Sequence, residues 1–225
     1  MIPWELLESA CAPEGGGELR LYQRGNEFSI RVDGRELMNS RVYSSEDALA
    51  RLACERLADR RNPRVLVGGL GMGFTLAAAL SDLGPKAQVI VAELVPEVVR
   101  WNRGPLGDLA NHPLRDPRVT VCEIDVATVL RAERHAYDAI LLDVDNGPEG
   151  ITQTDNDWLY DRAGLSASSK ALRPGGVLAV WSASPNRVFA RRLRATGFAV
   201  EEIAVRARGY ARGARHTIWL AQPEA

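Results

Sequence analysis

"RVLVGGLGMGF", residues 64–74, sets the fold class. It begins as an apolar strand and breaks into Gly69-Leu70-Gly71-Met72-Gly73, a G-x-G-x-G turn. A helix near 73–83 follows and stops at Gly84-Pro85. Glycines between a strand and a helix let the backbone turn tightly and come close to a ligand. Downstream the alternation repeats. "AQVIVAEL" reads as a strand, followed by a helix from Pro96 to about Arg103. "RVTVCEI" precedes a helix near 126–134, and "YDAILLDV" precedes a loop and a helix near 157–172. "GGVLAVWS" precedes a helix near 186–195. Near-continuous apolar strands with helical crossovers predict a doubly wound, mostly parallel α/β sheet. "FAVEEIAVRA" and "RHTIWLAQ" have only an Arg/Gly turn between them, so the seventh strand is antiparallel.

Upstream, the pattern changes. "ELRLYQRG", "EFSIRVDG" and "RELMNSRVY" are short strand-like runs with turn signals at Arg24-Gly25-Asn26 and Asp33-Gly34. They predict a small N-terminal β-appendage over residues 1–42, ahead of a nucleotide-binding domain over 43–225. Residues 44–63, "SSEDALARLACERLADRRNP", join the two as a helix. Ser44 or Ser45 is the expected cap, and Asn62-Pro63 the stop.

Acids stand at the strand ends. Glu93 closes the second sheet strand, twenty residues after Gly73, where a carboxylate can accept both ribose hydroxyls of a nucleotide. Asp125 ends the third strand and can accept an adenine amine or cap the next helix. Asp143 ends the fourth, and Asp145 and Asn146 follow in "DVDNGPEG". Three acids on three successive strands at the ligand edge of such a sheet point to a site.

Composition excludes other classes. Charged residues make up 25% of the 225 and the net charge is −1, so no global field calls for nucleic acid or membrane. Three scattered cysteines and three scattered histidines suggest neither disulfides nor a metal site. No basic-then-apolar leader is present, which makes a cytoplasmic protein the expectation.

In combination, the glycine turn, Glu93, Asp125, Asp143 and the antiparallel last strand resemble class I S-adenosylmethionine-dependent methyltransferases, with their seven-stranded Rossmann-like sheet. More narrowly, "VDGRELMNSRVYSSEDALARLA", "YDAILLDVDNGPEG" and "ALRPGGVLAVW" are similar to segments of the spermidine synthase family, from about residue 20 to the end. The resemblance implies a transferase with S-adenosylmethionine or its decarboxylated form as donor, a small-molecule acceptor, and a possible homodimer. Glu93 would hold the ribose, Asp125 the adenine and Asp143 the attacking amine, with Asp145 as a secondary acid. Three departures stand out. The family's glycine turn carries an Asp that holds the donor's ammonium, and Gly71 takes that place. The second acid of its D-S-S-D box becomes Asn146. Of a Tyr-His-Glu that helps hold the amine, Ser44-Ser45-Glu46 keeps only the Glu.

Losing these groups tilts the expectation to methyl transfer, with aminopropyl transfer as the alternative and a non-catalytic nucleotide-binding module as the third reading. Trp181 is expected either in the acceptor pocket wall or in the core. The sixth strand, read as parallel to its neighbours, would carry Arg206, Arg208, Arg212 and Arg215 to the ligand edge, where Arg208 and Arg212 could meet an acidic acceptor.

Overall fold

The computed structural model describes residues 2–13, 17–144, 148, 157–207 and 214–224. Four antiparallel strands open the chain: β1 Glu5–Cys11, β2 Glu18–Arg24, β3 Glu27–Val32 and β4 Arg35–Asn39. β1 has no counterpart among the sequence-predicted strands. "ELLE" lacks period-two alternation, and a register shift between Leu6 and Glu8 explains why. Glu8 ties the strand to the rest of the protein, accepting from Arg100 at 2.7 Å and from the Trp101 indole at 2.9 Å.

Helix α1, Ser44–Glu55, follows, but neither serine caps it. Tyr43 is the N-cap and makes no side-chain capping bond. The alternation then runs β5 Arg64–Gly68, α2 Phe74–Asp82, β6 Gln88–Glu93, α3 Pro96–Arg103, β7 Val119–Glu123, α4 Val126–Ala132 and β8 Tyr137–Leu142. It continues with α5 Asp157–Tyr160, α6 Arg162–Ala171, β9 Leu172–Ser182, α7 Arg187–Ala195, β10 Phe198–Arg206 and β11 Arg215–Pro223. The helix expected over 157–172 is two, because Asp161 accepts from Gly164 N and starts α6 afresh.

The large sheet has the order β10-β11-β9-β8-β5-β6-β7. Strands β5 to β9 are parallel to their partners, while β11 is antiparallel to both β9 and β10. Among the described residues β10 therefore pairs only with an antiparallel strand, which corrects the reading of it as parallel to its neighbours. Two reversals still leave it pointing the same way as β9, so the β10–β11 turn lies at the C-terminal edge of the parallel strands.

Alternation along each strand divides the core. Val65, Val67, Val89 and Val91 pack with Leu49, Ala53 and Leu76 on the α1–α2 face. Leu66, Ile140 and Leu142 pack with Leu130, Leu165 and Phe189 on the other. The N-terminal sheet joins the first cluster through Leu19, Leu21, Phe28, Ile30 and Val32. From β5 the chain moves outward through β6 and β7, then returns to β8 on the far side. That reversal opens a crevice at the C-terminal ends of β5 and β8. Among the described residues no helix is long and apolar enough to cross a membrane.

Candidate active site

Register brings the strand-end residues together. Gly68 pairs with both Ala92 and Leu142, so Gly69, Glu93 and Asp143 emerge side by side. They line one cleft with Gly71 and Asp125, and the N-terminal sheet closes it with Leu19, Ile30, Val32, Leu37 and Met38. The turn needs its glycines. Gly69 has φ +87° and Gly71 +52°, and a Cβ on Gly69 would lie 2.4 Å from the Asp143 carbonyl oxygen. Gly73 sits further along as the left-handed N-cap of α2.

Glu93 is buried at the cleft wall. Its Oε2 accepts from Leu70 N at 2.8 Å and its Oε1 from Val95 N at 2.9 Å. Burial raises its pKa, while the surrounding backbone N–H groups act to lower it. A carboxylate oxygen accepts two hydrogen bonds, so acceptor capacity toward ribose hydroxyls remains. Asp125 fills both expected roles in position: its Oδ1 caps α4 by accepting from Ala127 N at 2.8 Å, and the residue lines the cleft.

Asp143 stands at the β8 tip. Burial pushes its pKa up to about 6, and the Thr75 hydroxyl, donating to Oδ2 at 2.5 Å, counters part of that shift. Thr75 lies in the first turn of α2 and carried no motif signal. Glu46, from the first turn of α1, is the nearby second acid. Burial and then the Asp143 charge raise it well above the ordinary carboxylate range. Its Oε2 is buried with no hydrogen-bond partner. Two carboxylates that hinder each other's ionisation suit a cation placed between them.

Beside this pair, Ser45 Oγ lies 2.8 Å from His216 Nδ1. The His216 ring meets Trp181 edge-on at 4.8 Å, and burial lowers its pKa. Trp181 is both things expected of it: it packs in the core, yet its Nε1 is buried without a partner. The sequence reading missed Thr75, His216 and Met38. Arg206 and Arg215 face each other at the hairpin end, both exposed. Asp145, Asn146, Arg208 and Arg212 lie outside the described residues.

Residues 50–190 match the Spermine/spermidine synthase domain. The chain belongs to that family. Curated relatives of this spermidine synthase-like chain include the polyamine aminopropyltransferase of Mycobacterium tuberculosis, 28% identical over 173 residues, 76% of this chain and 30% of that protein. The polyamine aminopropyltransferase of Prochlorococcus marinus is 33% identical over 123 residues, 54% of this chain and 41% of that one. Putrescine N-methyltransferase 4 of Nicotiana tabacum is 38% identical over 120 residues, 52% and 29% of the two chains. The chain thus spans well under half the length of these relatives. Spermidine synthase from Thermotoga maritima shares the fold, with a TM-score of 0.78 at 17% identity, covering 97% of this chain and 73% of that one. A spermidine synthase in complex with the transition-state analogue AdoDATO aligns with a TM-score of 0.77, also at 17% identity.

Proposed function

We propose that this spermidine synthase-like chain transfers an alkyl group from an adenosyl sulfonium donor to an amine. The observation that carries this is the Glu46–Asp143 pair, set at the β8 tip beside the Glu93-lined cleft. A sulfonium of this kind supplies an electrophilic carbon and a neutral thioether leaving group. Glu93 holds the ribose side and Asp125 the adenine side.

The carboxylates prepare the nucleophile. A protonated amine has no lone pair, so Asp143 takes a proton from it, and a pKa raised to about 6 makes Asp143 a better base than an ordinary Asp. The nitrogen lone pair then forms the N–C bond as the C–S bond breaks, with the electron pair staying on sulfur. Thr75 fixes the direction of Asp143, and aim is what positioning catalysis requires.

Aminopropyl transfer is the first reading of the finer chemistry, on the weight of the relatives named polyamine aminopropyltransferases. Methyl transfer is the second, favoured by Gly71. A Cβ there would lie 3.0 Å from Met38 Sδ, so thioether packing occupies the place of a charged side chain. A donor tail with one net positive charge gains most from an acid there; a zwitterionic tail gains less. Incubating the protein with each donor and mixed amines separates the readings. Methylthioadenosine as product supports the first and S-adenosylhomocysteine the second. Neither product, with nucleoside binding retained, would support the non-catalytic module.

A further inference from the structure

Five side chains form a ring on the α1 side of the Asp143 tip. Glu46 adjoins Ser45 in α1, and Ser45 bonds His216 of β11. His216 packs edge-on against Trp181 of β9. Leu142 pairs with Val180, so the next residues along, Asp143 and Trp181, are neighbours across β8 and β9. The Asp143 charge reaches back to Glu46 and completes the circuit. Two of these side chains have a buried polar atom without a partner, and the two atoms are of opposite kind. Glu46 Oε2 is an acceptor without a donor; Trp181 Nε1–H is a donor without an acceptor. A polar atom buried in this state is costly unless something fills it.

Resting on the amine-transfer reading, we infer that the acceptor is an amine that also carries a neutral hydrogen-bond acceptor, of the amino-alcohol class, rather than a simple diamine. The amine goes to the Glu46–Asp143 pair. The hydroxyl oxygen accepts from Trp181 Nε1. The second ammonium of a diamine has donors only and cannot satisfy an indole N–H. Nor does His216 supply charge against it: burial disfavours its cationic form, and Ser45 holds its ring in place.

Calorimetry on the full chain saturated with methylthioadenosine tests this apart from turnover. The probes are butylamine, putrescine and aminobutanol with its two groups at opposite ends. Aminobutanol is expected to bind about tenfold more tightly than either of the others, the scale of one well-made buried hydrogen bond. Trp181→Phe keeps an aromatic ring and removes the N–H, and should erase that preference. Glu46→Gln should weaken all three amines together and leave the preference in place. Equal affinities, a preference for putrescine, no amine binding, or a preference that survives Trp181→Phe would overturn the inference. A preference for putrescine would mean that the indole face, not its N–H, meets the second ammonium. Selective binding without product from either donor would instead defeat the transferase reading and leave the inferred ligand class standing.

Discussion

Asp143 combines a cost in stability with a gain in reactivity. The folded state holds its proton more tightly than the unfolded chain, in which an Asp titrates near 3.8. Its contribution to stability is therefore complete below that value and lost as pH rises through about 6. Glu46, also raised, acts in the same direction. Turnover needs ionised Asp143 and should climb over the window in which stability falls. Asp143→Asn should flatten that fall in a melting-temperature series while lowering kcat by about 10²-fold or more, the scale of a general base. A melting series with an unchanged slope would place the stability cost elsewhere. Glu93 also has two duties. Read from sequence, Glu93→Ala removes only a nucleotide contact. In the structure it would also leave Leu70 N and Val95 N without their carboxylate partner. Glu93→Gln is the cleaner test, expected to weaken S-adenosylhomocysteine binding by about tenfold with less loss of stability.

Among the elements, α3 supports the glycine turn. Asn102, buried near its end, donates through Nδ2 to the Gly71 carbonyl at 2.8 Å and to Val98 O at 2.9 Å. No motif marks this residue, yet it holds the turn from behind. Asn102→Ala should let Gly71 wander and reduce nucleoside affinity by up to about tenfold, the scale of one buried hydrogen bond. Unchanged affinity in a calorimetric titration would mean that the turn holds its own shape. Element types were legible because a period of two or 3.6 is local. The α1 cap was not: Ser45 favours a cap by type, but His216, 171 residues away, takes its hydroxyl.

For the whole molecule, the N-terminal sheet is part of the core. Leu19, Leu21, Phe28, Ile30 and Val32 are all buried in the cluster that contains Val65 and Val67. Five such side chains contribute on the order of 10 kcal/mol, as much as the entire stability of an ordinary domain. A chain beginning at Ser40 should lose its cooperative thermal transition and its nucleoside binding together. A sharp transition after truncation would show that the large sheet folds alone.

The sequence by itself determined the strand–helix alternation, the glycine turn and the acids at three strand ends, because each is written in neighbouring residues. It also yielded Glu46, through a likeness of local pattern. Tertiary structure alone decided that β1 is a strand, that Thr75 aims Asp143, that Met38 covers Gly71, and that Ser45, His216 and Trp181 meet beside the acids. These contacts join residues far apart in the chain. Their side chains have no preference for one another that spacing could reveal, and only the closing of the sheet brings them within reach.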